Sequence, residues 1–150
     1  MLKNIDPLLN ADVLYALRAM GHGDELVVSD TNFPSDSVAR DTKLGSLLRI
    51  DGVTCGEAVR AILSVMPLDS FVDHPALRME IVGKPAEIPA VQSEVQQAVD
   101  RAEGKPMPMG SIERMAFYER AREAYCVITT GERRFYGCFI LKKGVIPPTV

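Results

Sequence analysis

Four short segments concentrate the side chains able to do chemistry. In Gly21-His22-Gly23-Asp24-Glu25 a histidine stands between two glycines. An imidazole can give or take a proton at cellular pH, and flanking glycines let a ligand approach the backbone closely. The same pattern also fits a helix ending at Gly21, with His22 merely following it on the surface. In Ser29-Asp30-Thr31-Asn32-Phe33-Pro34, Asp30 closes an apolar run. A carboxylate there can accept hydrogen bonds from two adjacent ligand hydroxyls, or can form an Asx turn. Arg114-Met115-Ala116-Phe117-Tyr118-Glu119-Arg120-Ala121 could offer the Arg114 guanidinium to ligand oxygens and Phe117 as an apolar ring face. Read as a plain amphipathic segment, it would bury Phe117 and solvate Glu119, Arg120 and Arg122. In Thr129-Thr130-Gly131-Glu132-Arg133-Arg134-Phe135-Tyr136-Gly137-Cys138, Tyr136 could present its hydroxyl beside exposed backbone groups, or could be a packed aromatic in a turn.

His22 and Asp30 flank the same apolar run, and eight extended residues span roughly 25 Å. One small-molecule site can hold both only if the glycine-rich segment folds back or if more than one subunit builds the site. The second alternative would make the protein an oligomer.

Other familiar machinery is missing. The chain has no P-loop, G-x-G-x-x-G, G-x-S-x-G or H-E-x-x-H pattern, which disfavours phosphoryl transfer, hydride transfer and metallohydrolysis. Asp24 and Glu25 are adjacent, and adjacent strand residues point to opposite faces, so they make a poor metal pair. Cys55, Cys126 and Cys138 show neither paired nor metal-ligand spacing, with only His22 and His74 to supplement them. No cofactor and no metal are expected, which leaves acid–base chemistry or plain binding.

The elements that must position these residues come from one domain, expected over residues 1–150. The net charge of −3 and the scattered basic pairs Arg133-Arg134 and Lys142-Lys143 argue against nucleic acid and anionic membranes as partners. No apolar run approaches the roughly 20 residues that cross a bilayer. Met1-Leu2-Lys3-Asn4-Ile5-Asp6-Pro7 does not read as a signal peptide, so a cytoplasmic protein with reduced thiols is expected. A helix is predicted from an Asn10 cap to near Gly21, with Val13, Leu17 and Met20 at helical spacing. A second starts at a Thr54/Glu57 capping box, a third follows Pro89, and a fourth covers Phe117 to Ala124. Buried strands are predicted at 26–28, 77–82, 126–128 and 139–141, and a loop at Gly104 to Gly110. Helices alternating with short apolar strands argue for an α/β fold with a central, mostly parallel sheet flanked by helices.

Taken in order, the segments resemble the RbsD/FucU family, more closely its fucose mutarotase branch. The matching pieces are Met1-Leu2-Lys3 with Pro7-Leu8-Leu9, Met20 to Glu25, Ser29-Asp30 with Phe33-Pro34, and Arg114 with Ala116 to Ala121. Thr130-Gly131-Glu132, Tyr136-Gly137 and Leu141-Lys142-Lys143-Gly144-Val145 complete the set. The resemblance runs almost end to end. It implies an RbsD-like α/β subunit in a homo-oligomer, often ring-shaped, with sites near subunit contacts. It further implies His22 as the proton donor, and Asp30, Arg114 and Tyr136-Gly137-Cys138 as sugar-binding residues. The ribose-directed branch tends to carry a histidine where Arg114 stands, so the arginine favours the fucose branch. The family commonly has asparagine where this chain has Cys138, and a thiol is a far weaker hydrogen-bonding group than a carboxamide. The segment from Ala39 to Arg49 also departs from the family and is expected to reshape the pocket rim.

The implied activity is mutarotation of a free monosaccharide, with L-fucose as the expected substrate. His22 would transfer a proton at the anomeric or ring oxygen, and Tyr136 would assist as partner acid or hydrogen-bond donor. Asp30 and Arg114 would hold hydroxyls in place. A ribose-type pyranase, which recloses a pyranose as a furanose, and a non-catalytic monosaccharide-binding module are the alternatives.

Overall fold

The computed structural model describes residues 1–149; Val150, part of the expected domain, lies outside the described residues. In chain order the elements are α1 (Ala11–Ala19), β1 (Glu25–Ser29), α2 (Ser35–Asp41), β2 (Leu48–Ile50), α3 (Cys55–Leu63) and β3 (Ala76–Met79). They continue as α4 (Ala90–Glu103), β4 (Gly110–Ile112), α5 (Arg114–Glu123), β5 (Cys126–Thr130) and β6 (Phe139–Lys142).

Local chemistry sets most helix boundaries. The Asn10 side chain accepts from Val13 N–H at 3.0 Å and opens α1. Thr54 and Glu57 form the reciprocal capping box that starts α3. Gly104, in the left-handed region at φ 70°, closes α4. Glu113 accepts from the N–H groups of Met115 and Ala116, so α5 begins at Arg114, ahead of the expected start at Phe117.

The six strands lie in the order β2-β5-β1-β6-β3-β4. β1 pairs parallel with β5, β5 with β2, and β3 with β4. β6 runs antiparallel to both its neighbours, β1 and β3. Five strands thus share one direction and the last is reversed, as a mostly parallel sheet requires. Side chains alternate across the sheet. Leu26 and Val28 of β1 face a core built with α1, α3 and α4, whereas Val27 faces a second core with α2 and α5. The result is three layers, helices on both faces of one sheet, as expected for strands that are apolar throughout.

Three elements have no counterpart in the sequence reading. β2 and β4 are three residues each and form the two edges of the sheet, too short to show a hydrophobic period. β4 begins at Gly110, the last residue of the expected loop. Helix α2 follows Pro34 and buries only Ser35, Val38 and Ala39, so it lacks an apolar stripe.

Candidate active site

The strand directions gather four chain segments at one edge of the sheet. Asp30 follows the end of β1, Met79 ends β3, and Arg114 opens the helix after β4. Because β6 is reversed, Tyr136 and Cys138 reach the same edge from its start. Together with Asn32, Phe33, Tyr118 and Phe135 they line a cleft of about 250 Å³. This is the crevice outside the carboxyl ends of strands where open α/β sheets bind ligands, at the small end of ligand pockets. The larger grooves are surface features. One of about 710 Å³ runs between α3 and α4, and one of about 470 Å³ is lined largely by charged side chains at the other edge.

Asp30 is 3 % exposed, and its carboxylate ties the edge together. Oδ1 accepts from the N–H groups of Asn32 and Phe33, each at 2.9 Å, and Oδ2 accepts from Gly137 N–H at 3.0 Å. Burial pushes this carboxyl upward, and the three N–H groups hold it back only in part. The Cys138 thiol reaches Oδ2 at 3.7 Å, a weak contact that leaves acceptor capacity toward the cleft. Gly137 itself is buried: its N–H goes to Asp30, and its carbonyl accepts from the Cys55 thiol. A Cβ there would be crowded, 3.0 Å from Glu132 Cγ and 3.2 Å from Asp30 Cβ.

The loop before β6 is anchored by Glu132. Its buried carboxylate accepts from the Cys55 and Arg134 backbone N–H groups and from the Arg134 guanidinium, which also pairs with Glu94. The Arg134 hydrogen bonds outweigh burial and hold the Glu132 carboxyl at about 2. Tyr136 sits at φ 63°, a conformation bulky residues avoid. Its hydroxyl oxygen accepts from Val82 N–H at 3.2 Å. That bond uses one lone pair of the oxygen and leaves the O–H proton free to be donated. Arg114 is exposed; its Nε donates to the Tyr118 hydroxyl at 3.4 Å, and the guanidinium carbon lies 5.4 Å from the Tyr118 ring centroid. Phe117, read as a possible ligand face, is fully buried in the second core, and Phe33 and Phe135 supply the aromatic surface of the cleft instead.

His22 is not in this cleft. It precedes β1 and stands at the opposite edge of the sheet, so Asp30, Arg114, Tyr136 and Cys138 come together within one chain and His22 stays apart. The glycines act as expected: Gly23 adopts φ 87° and donates to Lys143 O, and Asp24 accepts from Gly21 N–H at 2.8 Å. The His22 side chain is 45 % exposed, and its Nε2 meets Asp69 Oδ1 at 3.1 Å. Asp69 is buried, and its carboxyl is held below the usual range by Phe71 N–H and by His22. The Phe71 ring lies 5.4 Å from the imidazole and is itself 74 % exposed. Asp69 escaped sequence reasoning because it is 47 residues from His22 and sits in no motif. Glu25, next to Asp24, is no metal ligand here: burial raises its carboxyl, but Arg120 and Lys142 outweigh that and hold it low. Among the described residues no three His, Cys, Asp or Glu side chains gather as a metal site, and no helix is long and apolar enough to cross a membrane. Cys55, Cys126 and Cys138 are all buried free thiols.

A three-layer α/β domain with a cleft of mixed hydroxyl, carboxylate, guanidinium and aromatic groups at its carboxyl edge is a small-molecule binding protein. Residues 3–146 match the family described as RbsD / FucU transport protein family, and the chain belongs to it. It is 42% identical over 151 residues to the fucose mutarotase of Bos taurus, covering 99% of this chain and 96% of the relative. The crystal structure of protein Atu2016 is similar at a TM-score of 0.96 and 67% identity, covering 98% of this chain and 97% of the other. The fucose mutarotase of Streptococcus pneumoniae, solved in complex with L-fucose, superposes at a TM-score of 0.86 with 38% identity, covering 97% and 100%.

Proposed function

We propose that this chain is an isomerase that interconverts the α- and β-anomers of L-fucose by acid–base opening and closure of the sugar ring. The observation that carries this reading is the state of Tyr136. Val82 N–H engages the phenol oxygen and leaves its proton available to donate, at a residue that lines a cleft with other sugar-binding groups. The full-length likeness to fucose mutarotases supports L-fucose as substrate.

Opening removes a proton from the anomeric hydroxyl and delivers one to the ring oxygen. Rotation about C1–C2 then presents the other face of the aldehyde, and reclosure reverses both transfers. No atom or electron is gained or lost overall, and acid–base groups alone can carry both transfers. Asp30 Oδ2 and the Arg114 guanidinium hold sugar hydroxyls, with Cys138 beside them. Phe33, Met79 and Phe135 offer apolar surface suited to the ring C–H groups and the methyl of a 6-deoxy sugar. Tyr136 donates at one of the two reacting oxygens, and His22, oriented by Asp69, exchanges a proton at the other.

His22 reaches that position from a second copy of the chain. Both edges carry exposed apolar groups: Phe71 and Val72 beside His22, and Phe135, 72 % exposed, with Met115 beside the cleft. Packing one edge on the other is a head-to-tail contact, which closes into a ring when the rotation allows. The setting we infer is the cytosol, where the three free thiols stay reduced.

Saturation-transfer proton NMR between the two anomers of L-fucose tests this reading, with D-ribose and D-galactose run alongside. Protein-dependent exchange, fastest for L-fucose and lost in His22→Ala, is expected. Saturable binding of L-fucose with no faster exchange of any sugar would replace the enzyme by a sugar-binding module, and furanose products from ribose would move it to the pyranase reaction.

A further inference from the structure

Gln92 lies in the first turn of α4 and is fully buried, yet it is far from any solvent that could satisfy a carboxamide. Its partners come from three different parts of the chain. Arg78 of β3, buried as well, donates from one guanidinium nitrogen to Gln92 Oε1 at 3.2 Å. Gln92 Nε2 donates to Met79 O at 2.7 Å and to Tyr136 O at 3.1 Å. A guanidinium only donates, so the amide oxygen must face Arg78 and both amide protons must face the two carbonyls. Arg78 thereby decides which way the amide points.

The other arm of Arg78 donates to Pro85 O at 3.0 Å. Pro85 ends the short turn in which Ile81 bridges Lys84 and Gly83 takes φ 76°, and this turn carries Val82. Val82 N–H is the group that holds the Tyr136 hydroxyl. One buried guanidinium–amide pair therefore governs both ends of Tyr136: the carbonyl through Gln92, and the phenol through the turn fixed at Pro85. Tyr136 needs such restraint, because an aromatic residue at φ 63° relaxes to negative φ once released, and its ring then leaves the cleft.

We infer that Arg78 and Gln92 are positioning residues for the reaction, holding Tyr136 in its left-handed conformation so that its hydroxyl proton is aimed at the sugar. This rests on the reading of Tyr136 as the hydrogen-bond donor of the site. Neither residue touches substrate; both act through the phenol.

The test is a double-mutant cycle of Gln92→Met with Tyr136→Phe, read as the L-fucose anomer exchange rate of folded protein. Tyr136→Phe slows exchange by about tenfold to a hundredfold. Gln92→Met slows it by about tenfold in the parent chain, with kcat falling more than KM rises. On the Tyr136→Phe background it changes the rate by less than about twofold, because the group it positions is already gone. Equal losses on both backgrounds, or no loss in the parent chain, would overturn the positioning role while leaving the phenol's role standing. An undiminished rate in Tyr136→Phe would overturn the phenol's role, and this inference with it. Should Gln92→Met not fold, Arg78→Lys replaces it in the same cycle. A single ammonium cannot span Gln92 and Pro85 as the guanidinium fork does, and a loss of about threefold, again confined to the tyrosine background, is expected.

Discussion

At the carboxyl edge of the sheet Asp30 is buried and held by three backbone N–H groups, whereas at the amino edge His22 is half exposed and held by one carboxylate. The first edge is a finished surface. Its carboxylate, its strained tyrosine and its loop are each restrained by partners from other elements, so the cleft is preorganised for a ligand. The second edge offers a proton-transfer group on a two-glycine turn, with an aromatic ring exposed beside it. The contrast teaches that residues flanking one β-strand do not meet within the chain, because the strand puts its two ends at opposite edges of the sheet.

The largest effect should come from separating the two halves. His22→Ala should slow L-fucose anomer exchange about 10²–10⁴-fold, the usual contribution of general acid–base catalysis, with the thermal midpoint unchanged. Co-expressing His22→Ala chains with Tyr136→Phe chains should then restore activity, since about a quarter of randomly assembled sites unite both intact residues. Mixed assemblies that remain as inactive as either parent would show that one chain makes the whole site.

A smaller effect concerns the rigid edge. The Glu132 carboxyl drops from its ordinary 4.5 to about 2 on folding, so its stabilisation is complete above pH 4.5 and disappears as pH falls through 2. The Arg134 partner is 40 % exposed and screened, which trims the contribution to roughly 2 kcal/mol. Urea midpoints should show wild type losing that amount between pH 5 and pH 2, and Glu132→Gln losing less. Parallel curves for the two proteins would remove Glu132 as the anchor of the loop.

The smallest effect belongs to the exposed edge. Asp69→Asn should slow exchange about tenfold by loosening the orientation of His22, with KM for L-fucose nearly unchanged because the cleft is intact. A raised KM at constant kcat would place Asp69 in sugar binding instead.

Much of this protein was legible in the sequence because it is written in neighbouring residues. Caps at Asn10 and Thr54, the stop at Gly104 and the apolar runs of β1, β5 and β6 act over one turn or one strand, where chain connectivity already puts the partners together. The separation of His22 from Asp30 was legible too, since it follows from the length of an extended chain. The edge strands β2 and β4 and the polar helix α2 were not, being too short or too polar to carry a period. Only the tertiary structure decided which distant groups meet: His22 with Asp69 across 47 residues, Gln92 with Tyr136 across 44, and Asp30 with Gly137 across 107. Those pairings follow from strand order and from the reversal of β6. Strand order is a property of the packed sheet, set by how whole layers bury one another, and no local stretch of residues encodes it.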